Sequence, residues 1–309
     1  MTTIEAPVEY IEATLDLPIR YIDRSRSYYL TLGYNNPYRW AHNQEAPFTP
    51  LRKPLSESRV AILTTGALYD PANGNQGPWA PYNAGAKFTR TYAAPIDPVP
   101  DVRISHVGYD RKHTSAEDMG TYFPLAALQR AAKAGRFGEL NARFFGVPTL
   151  RSQRLTTERD APDALALLRE DRVDAAILVP NCPVCHQTMS LTARHLEANG
   201  IPTVLLGCGK DIVESAAVPR FVFSDLPLGN ACGKPFDTAS QDLVAAIALD
   251  TLESARAGRT TVQTPLRWAD DHAWKADFYR LDMTSEQIER ARGEMDNQKA
   301  ILASKLAAD

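Results

Sequence analysis

The sequence predicts an α/β fold of mainly parallel sheets with helices on both faces, and three observations carry that prediction. Short runs such as Val60–Leu63 and Ala175–Val179 are apolar without interruption, as strands buried on both faces are. From Asp160 onward such runs alternate with stretches of helical periodicity, the pattern of βαβ units with right-handed crossovers. The helical stretches end at glycine or Asn-Gly, as at Gly135, Asn199-Gly200 and Gly258.

Taken in order, residues 1–57 form an irregular arm rich in aromatics (Tyr28, Tyr29, Tyr34, Tyr38, Trp40), with a helix from Arg20 to Leu32, packed on the core or on a partner subunit. Residues 58–260 form the core, which also reads as two Rossmann-like halves, 58–155 and 156–260. It opens on the strand at Val60 and continues through a long Pro-, Gly- and Asn-rich loop, 69–101, of the length that is usually functional or disordered. A strand at Val102–His106, a helix at Phe123–Ala134 and a strand at Ala142–Val147 follow. The remainder is a helix at Asp160–Glu170, a strand at Val173–Val179, a helix at Thr188–Ala198 and a strand at Pro202–Leu206. Then come a helix at Lys210–Ala217, a strand at Arg220–Phe223 and a helix at Phe236–Ala257. Residues 261–309 are a tail with a charged helix, 284–306, whose thin apolar stripe suits the body or a second subunit.

The chain has 309 residues, a net charge of −3 and 44% hydrophobic residues, which exclude disorder and fibrous classes. Acidic and basic residues are interspersed, so no nucleic-acid footprint is present and a small-molecule substrate is expected. The start has neither the basic nor the apolar segment of a secretory signal, and no run approaches the roughly 20 residues of a membrane span. A cytoplasmic protein with no membrane contact is expected. Its 4 cysteines would then be free, catalytic or metal-bound rather than a disulfide scaffold.

The chemistry is expected at Asn181-Cys182-Pro183-Val184-Cys185-His186-Gln187, between a strand end and a helix start. Open parallel sheets bind ligands beyond the carboxyl ends of their strands. A helix N-terminus there favours an anion, so a thiol at that position is more readily ionised. Pro183 suits the first helical position, with Cys182 at the cap and Cys185 one turn later. Such a pair cycles between dithiol and disulfide, with Cys182 as nucleophile and Cys185 as resolving thiol. Alternatives remain open: two small apolar residues at a buried helix start, a c-type haem attachment signature, or a metal site completed by Cys208 and Cys232. Thiol-based proton transfer, with Cys182 and Cys232 facing each other as in racemases or lyases, is a further reading.

The same sheet edge should carry Thr64 and Thr65 after the first strand, His106, Tyr109 and Asp110 after the second, and Asn230, Cys232 and Lys234 in the loop from Leu226. His106 is the candidate proton donor, and Thr64, Thr65, Tyr109, Asp110, Asn230 and Cys232 are candidate substrate contacts.

Several separated segments resemble, in order, the selenoprotein B family of glycine, sarcosine and betaine reductases and the related D-proline reductase subunit. They are Arg59-Val-Ala-Ile-Leu-Thr-Thr-Gly, Ser105-His-Val-Gly-Tyr-Asp, Glu117-Asp-Met-Gly-Thr-Tyr-Phe-Pro-Leu, Leu178-Val-Pro-Asn-Cys-Pro-Val-Cys-His-Gln-Thr, Gly200-Ile-Pro-Thr-Val and Pro227-Leu-Gly-Asn-Ala-Cys-Gly-Lys-Pro. The resemblance covers about residues 55–255 and implies a reductive cleavage of a carbon–heteroatom bond in an amino-acid-like molecule. The family's redox motif falls on Cys182 and Cys185, with Cys182 matching the selenocysteine. Both positions are ordinary cysteine here, and no pyruvoyl-forming segment is recognisable. The resemblance thus implies no cofactor bound in this chain, a dithiol reductant, a redox partner protein and, where the chemistry needs it, a pyruvoyl group on a partner subunit. A homo-oligomer is expected from the apolar residues of the arm and tail.

Overall fold

The structure, a computed structural model, describes residues 16–36, 38–277 and 283–308. The first 15 residues of the expected arm and part of the tail therefore lie outside the described residues.

The core is one 8-stranded sheet. Its first strand, β1 (Arg59–Thr64), is followed by the short β2 (Ala67–Leu68), β3 (Tyr92–Pro95) and β4 (Val102–Arg103). Helix α1 (Tyr21–Thr31) precedes them, and α2 (Leu125–Lys133), β5 (Glu139–Leu140) and β6 (Arg143–Gly146) come next. The second stretch supplies α3 (Ala161–Glu170), β7 (Ala175–Val179), α4 (Pro183–Ala198), β8 (Thr203–Gly207), α5 (Lys210–Ala216), β9 (Arg220–Phe223), α6 (Thr238–Ser254) and β10 (Thr260–Gln263). The tail helix is α7 (Ser285–Ala308).

The strand order is β10-β9-β8-β7-β1-β6-β3, with β5 also on β1. All pairings in this sheet are parallel except β3 against β6, while β2 and β4 form a separate antiparallel pair. The stretches 58–155 and 156–260 thus enter a single sheet, joined where β1 pairs with β7 in register from Val60↔Ala175 to Thr64↔Val179. From β1 the chain first steps outward to β6, then crosses to β7 and proceeds the other way. The carboxyl ends of β1 and β7 therefore flank the topological switch point, where sheets of this kind place their ligands.

Alternate residues of β1 enter opposite cores, as the strand period of two requires. Val60 and Ile62 pack with Leu128, Val244 and Leu249 on the α2/α6 face, whereas Ala61 and Leu63 pack with Leu168, Met189 and Leu196 on the α3/α4 face.

The sequence reading meets several local corrections. The helix read by its periodicity as Thr188–Ala198 begins at Pro183, where the cap reading of Cys182 put its start, and the strand expected over Val102–His106 ends at Arg103, leaving His106 in a loop. Strands β3 and β10 were not expected; β3 sits inside the stretch read as a long loop and closes one edge of the sheet. The described part of the arm packs on this chain's own core, with Ile19, Tyr21 and Leu55 buried in the larger apolar cluster.

Candidate functional site

At the end of β7 the chain turns into α4, and Cys182 is the N-cap in extended backbone, with Pro183 in the first turn. Its sulfur accepts from the Cys185 amide at 3.2 Å. Cys182 and Cys185 are joined as a disulfide with their Cα atoms 4.9 Å apart. Cys185 is fully buried and Cys182 is only 3% exposed, but Cys182, with Pro183 and Val184, lines a cavity of about 200 Å³.

The rest of that cavity is built by the arm, the tail and two core loops that supply Val107 and Arg151. Tyr29, Tyr34, Tyr38 and Trp40 supply aromatic walls; Arg26, Arg151 and Lys299 are its cations, and no Asp or Glu lines it among the described residues. The Arg151 guanidinium donates to the Tyr29 hydroxyl at 2.6 Å and reaches the Met295 sulfur of α7 at 4.0 Å. Lys299 of α7 lies 3.5 Å from the centre of the Tyr34 ring, whose hydroxyl donates to Asp296 at 2.6 Å. The arm and α7 thus roof the dithiol, a role that their composition hinted at without fixing where they fold.

His186 explains how the helix start is held. Its Nδ1 lies 2.7 Å from the Cys182 carbonyl, and its Nε2 accepts the Cys208 and Gly209 amides, each at 3.0 Å. Two amides on Nε2 require the proton on Nδ1, which donates to the carbonyl. A Cβ on Gly207 would stand 2.8 Å from the imidazole, so glycine is what allows the ring this close. With both nitrogens engaged, the ring is not placed as an axial haem ligand, and the Cys-x-x-Cys-His pattern here is structural at its fifth position.

Burial lowers the His186 pKa from 6.5 to about 4. Between those values the unfolded chain binds the proton and the folded chain does not, so stability is full above 6.5 and falls as pH drops. From pH 7 to pH 5 this group alone is expected to lower stability by about 2 kcal/mol. His106, whose pKa is also lowered by burial, acts in the same direction. Urea unfolding at the two pH values checks this, and a smaller loss is expected in His186→Asn; an equal loss in both proteins would refute the assignment.

The other sequence-predicted residues lie behind the site rather than in it. Thr64 and Thr65 are fully buried; Thr64 Oγ1 accepts the Gly66 amide at 3.0 Å, and Thr65 Oγ1 accepts from Asn181 Nδ2 at 3.2 Å. That second bond ties the β1 end to the β7 end beneath the disulfide. Tyr109, Thr114 and Asn230 form a buried chain, with Tyr109 donating to Thr114 at 3.4 Å and Thr114 to Asn230 at 3.3 Å. Asp110 takes the amides of Lys112 and His113 at 3.1 Å and pairs with the His113 ring at 3.0 Å.

His106 is 3% exposed, its neighbour Val107 lines the cavity in its place, and its Nδ1 has no hydrogen-bond partner among the described residues. Burial, with Lys87 and Arg111 nearby, holds its pKa well below the usual range, so it is neutral at pH 7 and poorly suited to the expected role of proton donor. Cys208 and Cys232 are buried free thiols; burial pushes the first up to about 12 and the second well above its ordinary value. Cys232 is part of the apolar core and is not among the described residues that line the cavity. Among the described residues no group of three or more His, Cys, Asp or Glu side chains is placed to hold a metal ion. No helix among them is long and apolar enough to cross a membrane.

Sequence reasoning missed Arg151, Ser25, Arg26 and Lys299. A signal existed for the first: the strand-end rule that singled out Cys182 applies equally to β6, and Arg151 lies in the loop that follows it.

The chain is 25% identical over 224 residues to the D-proline reductase subunit gamma of Acetoanaerobium sticklandii, covering 72% of this chain and 89% of that protein. It is 22% identical over 214 residues to the glycine reductase complex component B subunit gamma of Symbiobacterium thermophilum, covering 65% of this chain and 47% of that protein, about half its length. No protein-family model and no solved structure matches. These relatives support the kinship with glycine and D-proline reductases that the motifs carry, and both are named as subunits of larger enzymes.

Proposed function

We propose that this relative of D-proline and glycine reductase subunits is itself a thiol-dependent reductase that cleaves a carbon–heteroatom bond in a small amino-acid-like molecule. The reading rests on one observation above others: Cys182 caps α4 at the switch point, lines the cavity, and is disulfide-linked to a resolving thiol one turn deeper.

In the reduced protein the Cys182 thiolate faces the amide groups of the first turn, which favour its charge. It displaces the heteroatom from the substrate carbon, forming a carbon–sulfur bond while the leaving group departs with the bonding pair and takes a proton. Cys185 thiolate then attacks the Cys182 sulfur. The carbon–sulfur pair passes to carbon, which takes a proton from water, and the disulfide seen here is the product. An external dithiol restores both thiols by exchange. Aromatic walls around a small volume exclude water and orient the reacting carbon.

The co-reactants assigned outside this chain are that dithiol, on a redox partner protein, and, as the resemblance implies, a pyruvoyl group on a partner subunit. No step above passes through the latter. A cytoplasmic homo-oligomer is the setting we infer from the reducing chemistry and the apolar arm.

The test is to supply the purified protein with dithiothreitol and a panel of α-amino acids that includes D-proline and glycine, with and without a pyruvoyl-bearing partner subunit. Dithiol oxidation in step with reduced product is expected for at least one compound. If no compound drives dithiol oxidation in either arrangement, although alkylation shows that Cys182 has been reduced, the reading fails.

A further inference from the structure

The disulfide that the proposed chemistry leaves behind has to be reopened, and the fold closes it off from anything larger than a small molecule. Cys185 is fully buried, Cys182 is 3% exposed, and the cavity beside them measures about 200 Å³. Exchange requires a thiolate to approach one of the two sulfurs. From the cavity that sulfur is Cys182, with Cys185 behind it as the leaving thiol. A free dithiol of a few atoms fits such a space, whereas a cysteine presented by a folded protein brings its neighbouring backbone with it.

The two halves of the roof are held differently. The arm is anchored by side chains sunk in the core, among them Ile19, Tyr21 and Leu55. Helix α7 has a single buried residue among its 24, Met295, whose sulfur lies 4.0 Å from the Arg151 guanidinium of the cavity wall. Around it lie polar contacts at or near the surface: Tyr34 donates to Asp296 at 2.6 Å, the Ala84 amide to Gln298 at 2.7 Å, and Lys305 to the Gly85 and Lys87 carbonyls at 2.6 and 2.7 Å. Such contacts each add little in water. Helix α4, by contrast, buries Cys185, Met189, Ala193 and Leu196, so α7 opens at a much lower free energy than α4.

We propose that α7 is a lid over the dithiol: closed, it shapes the small-molecule cavity and shuts out protein thiols; lifted, it admits a protein-borne dithiol to Cys182. Lys299 leaves the cavity wall with it, while the arm stays in place. A thiolate of the reductant then attacks the Cys182 sulfur, and the Cys185 sulfur departs with the bonding pair and takes a proton. The reductant's second thiol attacks its own sulfur of the mixed disulfide, which leaves Cys182 and Cys185 as thiols and the reductant as a disulfide. Substrate chemistry and re-reduction thus use different positions of one helix. The proposal rests on the Cys182–Cys185 pair being redox-active, and deepens that reading by stating how the reductant reaches it.

The test follows reduction of the disulfide, trapped by alkylation and read by intact mass, with dithiothreitol as the small reductant and reduced thioredoxin as the protein one. Met295→Asp places a charge where α7 is seated. It is expected to raise the thioredoxin rate at least about tenfold, the size of one buried methionine's contribution, and the dithiothreitol rate less than about threefold. Met295→Leu, which keeps the apolar contact, should behave as the wild type. Equal acceleration of both reductants in a folded Met295→Asp protein, or of neither, overturns the lid.

Should Met295→Asp fail to fold, hydrogen exchange of the wild-type protein decides. The α7 amides are expected to exchange together and at least about a hundredfold faster than those of α4 and β7, and protection of α7 equal to that of α4 overturns the proposal. Neither measurement involves turnover. A lid that lifts in a protein that reduces no amino acid would therefore retain the proposal and reject the reductase reading, and turnover with no lid motion would do the reverse.

Discussion

Replacing Cys182 by Ser is expected to abolish dithiol-dependent turnover, with a loss of at least about 10⁴-fold, the scale seen when a covalent nucleophile is removed. The substitution is informative because it leaves the local structure in place. Serine is a preferred N-cap, and its oxygen can accept the Cys185 amide as the sulfur does at 3.2 Å. Any loss of activity then reports chemistry rather than a frayed helix, and the melting temperature under reducing conditions should stay within a few degrees. Cys185→Ser should behave differently. The Cys182 thiol remains at the cavity, but no internal thiol can release the bound carbon, so a covalent adduct on Cys182 should accumulate and be visible in the intact mass. Full activity in Cys182→Ser would reject the assignment.

How much of this could be read beforehand differs between elements for physical reasons. The βαβ stretch was legible because each strand is buried on both faces and each helix ends in residues that stop it, so local pattern and final position agree. The Cys182 cap and Pro183 were legible for the same reason: capping is a local property of three or four residues. The wall around Cys182 was not. Tyr29, Tyr34, Tyr38 and Trp40 come from an arm with no period, and Lys299 from a helix whose single buried residue is Met295; contacts this distant in sequence leave no local mark.

His106 shows what a local reading leaves out. A histidine near a strand end reads as a proton carrier, but the strand stops at Arg103 and the ring is buried beside Lys87 and Arg111, where its charged form is disfavoured. His186 was passed over as part of a cysteine motif, although it is the residue that locks the dithiol helix to the end of β8.

The opposite end of α4 carries the largest stability effect expected in the molecule. Glu197 and Arg220 form an ion pair at 2.7 Å with neither side chain exposed. The carboxylate also takes the Thr49 amide at 2.5 Å and the Thr203 amide at 2.6 Å, and Arg220 donates to the Thr49 carbonyl at 2.9 Å with its guanidinium 4.2 Å from the Phe48 ring centre. The arm, the end of α4 and the starts of β8 and β9 meet at this pair.

Arg220→Met would leave a desolvated carboxylate without its counter-charge, a loss of roughly 3–5 kcal/mol. Adding Glu197→Gln should recover part of it, because the amide oxygen can still accept from Thr203 or from Thr49, which donate to the two different carboxylate oxygens, while the uncompensated charge is gone; a coupling above about 1 kcal/mol is expected from the double-mutant cycle. Urea unfolding of the four proteins measures both numbers. A cost below about 1 kcal/mol for Arg220→Met would mean that the pair is not the clamp described. Since the pair lies at the amino-terminal edge of the strands and Cys182 lies beyond the carboxyl end of β7, the folded variants should keep the wild-type alkylation rate at Cys182, which separates what holds this fold together from what its dithiol does.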